Sequence, residues 1–353
     1  GFTEARSPLL RKANYMFGWD WAPNLADMGV FQGIAIESTN LGYLLHYRVN
    51  QSFSKTGDAK IKVTTNFHTI GKGKLIVSLF DPKGEGELGS FVQDIAPSNS
   101  FTFLFKDPKL WYPRGYGEQN LYKLRFSYQG EGENLEYSYH LGIRKVEIHD
   151  EQDEIGCNFA IYVNGKKIFL LGSNYIPEDF ILARVTPERT KRLLKLATQE
   201  GHNCIRVWGG GYYPPDSFYN ECDALGLLVI QDLMFACAAY EADDQEFVEE
   251  ITKETKQNLR RIRNHPSLCL IFGNNEIEDC IRGHGLKKAK DYLTLNEKVI
   301  APLVKSLTDI YFLPSSPTSG EPFFAMPQDQ DYLDCHYWPD LSTMPDLQEY
   351  YGN

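Results

Sequence analysis

Residues 202–235 read HNCIRVWGGGYYPPDSFYNECDALGLLVIQDLMF. The apolar run around Cys204–Val207 has the length and β-branched content of a strand and ends on glycines. After Pro214 comes PDSFYNECDALG, whose apolar positions fall at helical spacing and stop at Gly226, and LLVIQDLMF then reads as the next strand. Buried strands alternating with amphipathic helices are the signature of parallel βα units, because parallel neighbours need a crossover that a helix supplies.

The same unit recurs on both sides of this stretch. Upstream, KKIFLLGSNYIP (166–177) reads as a strand, and Thr186-Pro187-Glu188 as the N-cap and first turn of a helix carrying Leu193, Leu194 and Ala197 and closed by Gly201. Downstream, a long helix with Phe247, Ile251, Leu259 and Ile262 on one face leads past Pro266 into SLCLIFGNNE (267–276). KDYLTLNEKVIAPLVKSLTD (290–309) supplies a further helix, IYFLPSSPTSG (310–320) a fifth strand and DYLDCHYW (331–338) a sixth. Such a series falls short of the eight strands of a (β/α)8 barrel and is what an incomplete barrel looks like, although a doubly wound open sheet produces a similar pattern. Residues up to about 142 differ. Runs such as GYLLHYRVNQSF, AKIKVTTNFHTI, GKLIVSLFD, SFTFLFKD and LYKLRFSYQ alternate apolar and polar residues between Gly-, Pro-, Asn- and Asp-rich turns, which predicts an antiparallel sandwich.

Composition narrows the function. Lys and Arg number 36 against 47 Asp and Glu, and no basic cluster exceeds LRRIR, so the electrostatic footprint of a nucleic-acid partner is absent. The sequence holds no apolar run of membrane-span length, and GFTEARSPLLRKANYMF lacks a signal peptide's apolar centre; no membrane partner is expected. Seven cysteines without a CxxC pair, several of them in core segments, read as reduced buried thiols and point to a cytoplasmic setting.

In parallel βα architectures the chemistry gathers at the carboxyl ends of the strands. Those positions carry Ser173-Asn174-Tyr175, Arg206 to Trp208 with Gly209-Gly210-Gly211, Gln231-Asp232, Asn274-Asn275-Glu276, and His336 with Trp338. Carboxylates and amides bind paired hydroxyls and indoles stack on the apolar side of a pyranose, so the set suits a carbohydrate. Glu276 is the candidate acid for glycoside cleavage, and Asn275 beside it is placed to hold a ring hydroxyl. A plainer reading stands next to this one: the asparagines make turn hydrogen bonds and Glu276 caps the next helix. The glycines of WGGG lack the spacing of a phosphate loop and are equally explained by tight packing after a strand, and Trp208 and His336 taken singly are ordinary core residues.

In their order, these stretches resemble the β-mannosidase branch of glycoside hydrolase family 2. RKANYMFGWDWAP is similar to that branch's WDW segment near the end of a jelly-roll sugar-binding domain. LWYPRGYGEQNLY and LGIRKVEI resemble the immunoglobulin-like sandwich and its exit into the barrel, and NGKKIFLLGSNYIPED, IRVWGGGYY, CDALGLLVIQDLMFAC, RNHPSLCLIFGNNE and DCHYW follow in the family's order.

The resemblance implies a jelly-roll remnant over 1–40, an immunoglobulin-like β-sandwich over 41–142 and the first part of a (β/α)8 TIM barrel over 143–353. It implies Glu276 as general acid/base of a retaining exo-β-mannosidase, Asn275 on the 2-hydroxyl, and Asp20 reaching from the first domain to the terminal sugar. Trp208 and Asp232 would line the pocket, and His336 and Trp338 would close its far side. No metal or cofactor is implied. Ala22 stands where the family has Gly, and IEDCIRGHG after Glu276 lacks a tryptophan usual there, so one sugar contact differs. The nucleophilic glutamate of the seventh strand has no counterpart in residues 1–353, which makes an internal piece of a longer enzyme the expectation. Such a piece would turn over mannosides negligibly and self-associate through its open edges. Competing readings are a related exo-enzyme acting on β-galactosides, β-glucuronides or β-glucosaminides, disfavoured by Asp20, and a non-catalytic carbohydrate-binding remnant.

Overall fold

The computed structural model describes residues 10–318 apart from 85, 152–153, 155–157 and 284–288. The expected sixth strand, His336 and Trp338 lie outside the described residues. A short hairpin comes first, β1 (Phe17–Trp19) against β2 (Ala22–Asn24), with Trp19 opposite Ala22 and Asp20-Trp21 at its tip.

The sandwich follows. β3 (Gly42–Phe53), β4 (Ala59–Thr69), β5 (Lys74–Phe80), β6 (Glu87–Asp94), β7 (Ser98–Phe105), β8 (Leu121–Gly130) and β9 (Glu133–Gly142) divide into a three-stranded sheet ordered β3-β4-β7 and a four-stranded sheet ordered β6-β5-β8-β9. Side chains of a strand alternate between faces, so Ile61, Val63 and Phe67 of β4, Leu75, Val77 and Leu79 of β5, and Leu124, Phe126 and Tyr128 of β8 close one core while Lys60 and Lys62 stay in water. The Phe67 and Tyr128 rings stack across it at 4.1 Å. β6 carries no alternation because it is an edge strand with nearly every residue exposed, and the sequence pattern misses it for that reason.

β10 (Val146–His149), β11 (Ala160–Val163) and β12 (Lys166–Ile168) form a small antiparallel sheet. The run 166–177, read as one strand, is therefore two: β12 pairs back on β11 through an Asn164-Gly165 turn with both φ values positive, as a two-residue hairpin requires, and the parallel sheet starts only at β13 (Gly172–Tyr175).

β13, β14 (Cys204–Val207), β15 (Leu228–Asp232), β16 (Leu268–Phe272) and β17 (Tyr311–Leu313) are parallel and lie in sequence order. A doubly wound sheet reverses its order at a switch point; an unbroken consecutive order is an arc of a barrel. α1 (Pro187–Gln199), α2 (Asp216–Leu225) and α3 (Gln245–Ile262) cross over between the first four strands. α1 starts as the sequence predicts, with the Thr186 hydroxyl accepting from the Arg189 N–H at 3.3 Å. α4 (Ile277–Gly283), α5 (Ala289–Leu293) and α6 (Ala301–Leu307) precede β17. The helix read over 290–309 is interrupted by a wide π-helical stretch, Thr294–Ile300, directly before Pro302, whose ring lacks an N–H and crowds the preceding turn.

Strand alternation sorts the barrel. Ile205, Val207, Val229 and Ile271 face the helices, whereas Cys204, Leu228, Leu270 and Phe272 face inward and pack with Trp111, Val163 and Ile168. Trp111 joins sandwich to barrel, its indole N–H donating to the Asp223 carbonyl at 2.8 Å. Close by, the Gly226 carbonyl accepts from Arg114 N–H, and a Cβ on Gly226 would stand 2.7 Å from that nitrogen at a φ of +72°. Only glycine closes α2 there.

Candidate active site

The inward phase that carries Cys204 and Leu228 also carries Arg206 and Asp232, two and four residues on, at the carboxyl ends of their strands. Asp232 has no accessible surface. The Arg206 fork meets it with Nε on Oδ1 at 3.1 Å and Nη2 on Oδ2 at 2.8 Å, and the Gly209 N–H donates to Oδ2 at 2.9 Å. Nη2 also donates to Asn275 Oδ1 at 2.9 Å, and Nη1 reaches Asn174 Oδ1 at 3.4 Å. One guanidinium thus ties together the ends of four successive strands. Asp232, expected on the pocket lining, is the fully buried counter-charge that fixes this guanidinium; an unpaired carboxylate at full burial would be too costly.

Asn274, Asn275 and Glu276 divide the two readings of their motif between them. Asn274 is wholly structural: its Oδ1 accepts from the Ile277 N–H at 3.1 Å and the Ser315 hydroxyl at 2.7 Å, and its Nδ2 donates to the Pro314 carbonyl at 2.9 Å. It caps α4, the task the plainer reading gave to Glu276. Asn275 points the other way. Since a guanidinium only donates, Oδ1 must face Arg206, which orients the amide and leaves Nδ2 donating to Cys237 Sγ at 3.4 Å. Glu276 is half-buried and sits at φ +58°, a left-handed conformation that costs a non-glycine residue roughly 1–2 kcal/mol. Backbone bonds hold it there: Asn275 N–H to the Phe235 carbonyl at 2.9 Å, Glu276 N–H to the Ser316 carbonyl at 2.7 Å, and Ser316 N–H to the Asn274 carbonyl at 3.0 Å. Its Oε2 accepts from the Cys237 thiol at 3.1 Å.

Trp208 follows β14 and folds back over the glycines. A Cβ on Gly210 would lie 1.9 Å from the indole, and one on Gly209 would lie 2.6 Å from the Phe235 carbonyl oxygen, so WGGG is a packing motif. Trp208 is 7 % exposed, covered edge-on by Trp19 at 4.9 Å and Trp21 at 5.8 Å between ring centroids. Asp20 is exposed and follows Trp19 and precedes Trp21 at the hairpin tip. Ala22, on the paired strand, is buried in the same cluster as Trp208, Cys237 and Cys280.

Residues that sequence reasoning left unassigned do the fastening. Arg11 grips Glu254 through Nε at 2.8 Å and Nη2 at 2.6 Å, Asn14 Nδ2 donates to the Ala236 carbonyl at 2.6 Å, and Tyr15 N–H donates to the Gly210 carbonyl at 3.1 Å. Arg206 had a readable signal, a cation in the inward phase of an otherwise apolar strand. Cys237 had none, because thiols are ordinary core residues.

A cavity of 290 Å³ lined by Arg48, Arg144, Arg263 and Asn264 lies between the sandwich and the turns that enter β16 and β17. It opens at the amino ends of the strands, opposite the polar rim, where barrels place stability rather than chemistry.

The Glycosyl hydrolases family 2 profile matches residues 42–144. A β-mannosidase from Bos taurus is 32% identical over 96% of this chain and 41% of its own length, and β-mannosidase B from Emericella nidulans is 36% identical over 76% of the chain and 32% of its own. The crystal structure of a β-D-mannosidase from Dictyoglomus thermophilum superimposes with a TM-score of 0.84 at 32% identity, covering 96% of this chain and 42% of that one. The chain belongs to glycoside hydrolase family 2, on its β-mannosidase branch. It spans about two-fifths of the length of the bovine relative. In this family 2 chain the sandwich and the barrel arc are the elements that the likeness covers, and its lineage is that of a glycosidase.

Proposed function

We propose that the complete protein is a retaining exo-β-mannosidase that releases terminal non-reducing β-D-mannose, with Glu276 as general acid/base. The observation that supports this reading is the seating of the WDW hairpin: both of its tryptophans rest on Trp208 at the end of β14, and on this reading Asp20 between them in sequence reaches the rim on which Glu276 stands. A carboxylate held there by a separate domain takes hydroxyls of the terminal sugar and closes that side to a longer chain, hence exo-cleavage. Asn275, oriented by Arg206, presents its N–H to the 2-hydroxyl.

Retention takes two carboxyl groups roughly 5 Å apart. In the first step a carboxylate supplied from outside the described residues attacks the anomeric carbon, and Glu276 gives its proton to the departing glycosidic oxygen. In the second, the Glu276 carboxylate takes a proton from water, whose oxygen attacks the same carbon and releases the nucleophile. The first step needs the protonated form of Glu276. The residues of this chain need no metal for either step.

The test uses the complete gene product on p-nitrophenyl β-mannoside, β-galactoside, β-glucuronide and β-glucosaminide. Preference for the mannoside by at least tenfold is expected, with retained configuration at the anomeric carbon by NMR. Glu276→Ala should lower kcat on a poor leaving group about 10²–10⁴-fold and much less on a dinitrophenyl leaving group, and azide should restore turnover. Equal rates across the four sugars, or a Glu276→Ala enzyme within tenfold of wild type on the poor leaving group, overturn the reading.

A further inference from the structure

The side chains behind Glu276 form a directed chain whose last member, the Cys237 thiol, the reaction as written does not use. Arg206, locked on Asp232, donates to Asn275 Oδ1 at 2.9 Å. Asn275 Nδ2 points at Cys237 Sγ at 3.4 Å. The Cys237 thiol donates to Glu276 Oε2 at 3.1 Å. The backbone is shaped to make this contact: Cys237 has a φ of +44°, Glu276 has +58°, and the Cys237 N–H bonds to the Asn275 carbonyl at 2.9 Å. Two adjacent left-handed residues that are neither Gly, Asn nor Asp each carry a conformational cost, and such strain persists only where surrounding contacts over-determine it. Among the described residues the Cys237 side chain is buried in the cluster that holds Trp208 and Cys280.

We propose that Cys237 is a positioning residue for the acid/base: its S–H fixes the direction of the Glu276 carboxyl and supplies a hydrogen bond to its ionised form. The inference rests on the reading of Glu276 given above. The proton arithmetic follows from donor chemistry. A thiol can donate to a carboxylate, and a donor to the charged form favours it, so the contact holds the acid below the value that burial alone would give. The thiol itself stays protonated, since the Cys280 thiol beside it, burial and the Glu276 carboxylate all push Cys237 far above the ordinary thiol range. A donor that never ionises serves both halves of the reaction, guiding the acid in the first and stabilising the general base in the second. Cys237, from the loop after β15, meets this carboxylate directly; the Cys280 thiol of α4 and Tyr240 act on Cys237, and the Arg206–Asp232 pair connects through Asn275.

The test compares Cys237→Ala and Cys237→Ser in the complete protein by the pH profile of kcat/KM on an aryl β-mannoside. Alanine removes the donor, so the basic limb, which reports deprotonation of the acid, should move up by about half a pH unit; serine keeps an O–H donor and should restore the limb to within about 0.2 units of wild type. A merely structural thiol would lower activity at every pH without moving the limb, so a Cys237→Ala profile that superimposes on wild type after scaling overturns the inference. A readout independent of turnover separates its failure from that of the proposed function. The S–H stretching band, assigned by its loss in Cys237→Ser, should lie at the lower wavenumber of a hydrogen-bonded thiol and rise in Glu276→Ala; a band that ignores Glu276→Ala refutes the contact. Wild-type protein inactive on all β-glycosides would refute the proposed reaction alone, leaving the band to decide on the thiol.

Discussion

Arg206→Met is the substitution whose consequence the structure determines most sharply. Methionine keeps the unbranched stem and its contacts and removes the planar cation, so what it deletes is the fork on Asp232 and the donor to Asn275. The side chains of Arg206 and Asp232 are 14% and 0% exposed, which puts the pair in the buried class rather than the surface class. Breaking a buried pair from one side costs about 3–5 kcal/mol, against at most about 1 kcal/mol at a surface, because the surviving charge has already lost its water. Asp232→Asn introduced into the Arg206→Met background removes that charge and should recover part of the loss, so the double variant should be more stable than Arg206→Met alone. Urea unfolding followed by tryptophan fluorescence reads this part of the molecule, since Trp19, Trp21 and Trp208 form one aromatic cluster next to Gly209, which bonds to Asp232. In the complete protein, kcat/KM should fall as well, because Asn275 loses the bond that tells its amide oxygen from its nitrogen. Two outcomes refute the reasoning: Arg206→Met within about 1 kcal/mol of wild type, or a second substitution that adds its full cost to the first.

Two further substitutions test the packing and the pH response. Gly210→Ala places a Cβ 1.9 Å from the Trp208 indole, so the ring must leave its seat under the hairpin; a loss of roughly 1–3 kcal/mol and an altered tryptophan emission are expected, and an unchanged spectrum would contradict the contact. His46 lies where the sandwich meets the end of α3, and burial, then Arg260, Arg263 and Lys256, lower its pKa from 6.5 to about 4. The unfolded chain therefore binds the extra proton between those values, so stability falls as pH drops from about 6.5 toward 4 and changes no further through this group below that. Tm measured across that window should decline less steeply in His46→Gln than in wild type, and equal slopes would refute the assignment.

How far the sequence reached differs from element to element. The thiol at 237 and the amide at 275 look alike in sequence to any buried thiol and any turn asparagine, and hydrogen-bond partners 38 to 69 residues away decide their roles. Phe247, Ile251, Leu259 and Ile262 share one helical face because of local periodicity alone, and Thr186 caps α1 through a bond spanning three residues. The β11–β12 hairpin at Asn164-Gly165 was legible in principle, since that dipeptide is a hairpin signal. The exposed strand β6 was not, because a strand without a buried face has no alternation to read.

The sequence by itself determined the sandwich, the succession of βα units and the line of polar residues at the strand ends, since periods of two and 3.6 and the residues that cap and turn a chain are properties of neighbours. Tertiary structure alone decided that the parallel strands follow a barrel's consecutive order, that the buried Asp232 is paired with Arg206, and that a sulfur stands on the oxygen of Glu276. Those are contacts between distant segments, and they are set by which charges and which left-handed residues the packed sheet can hold without water.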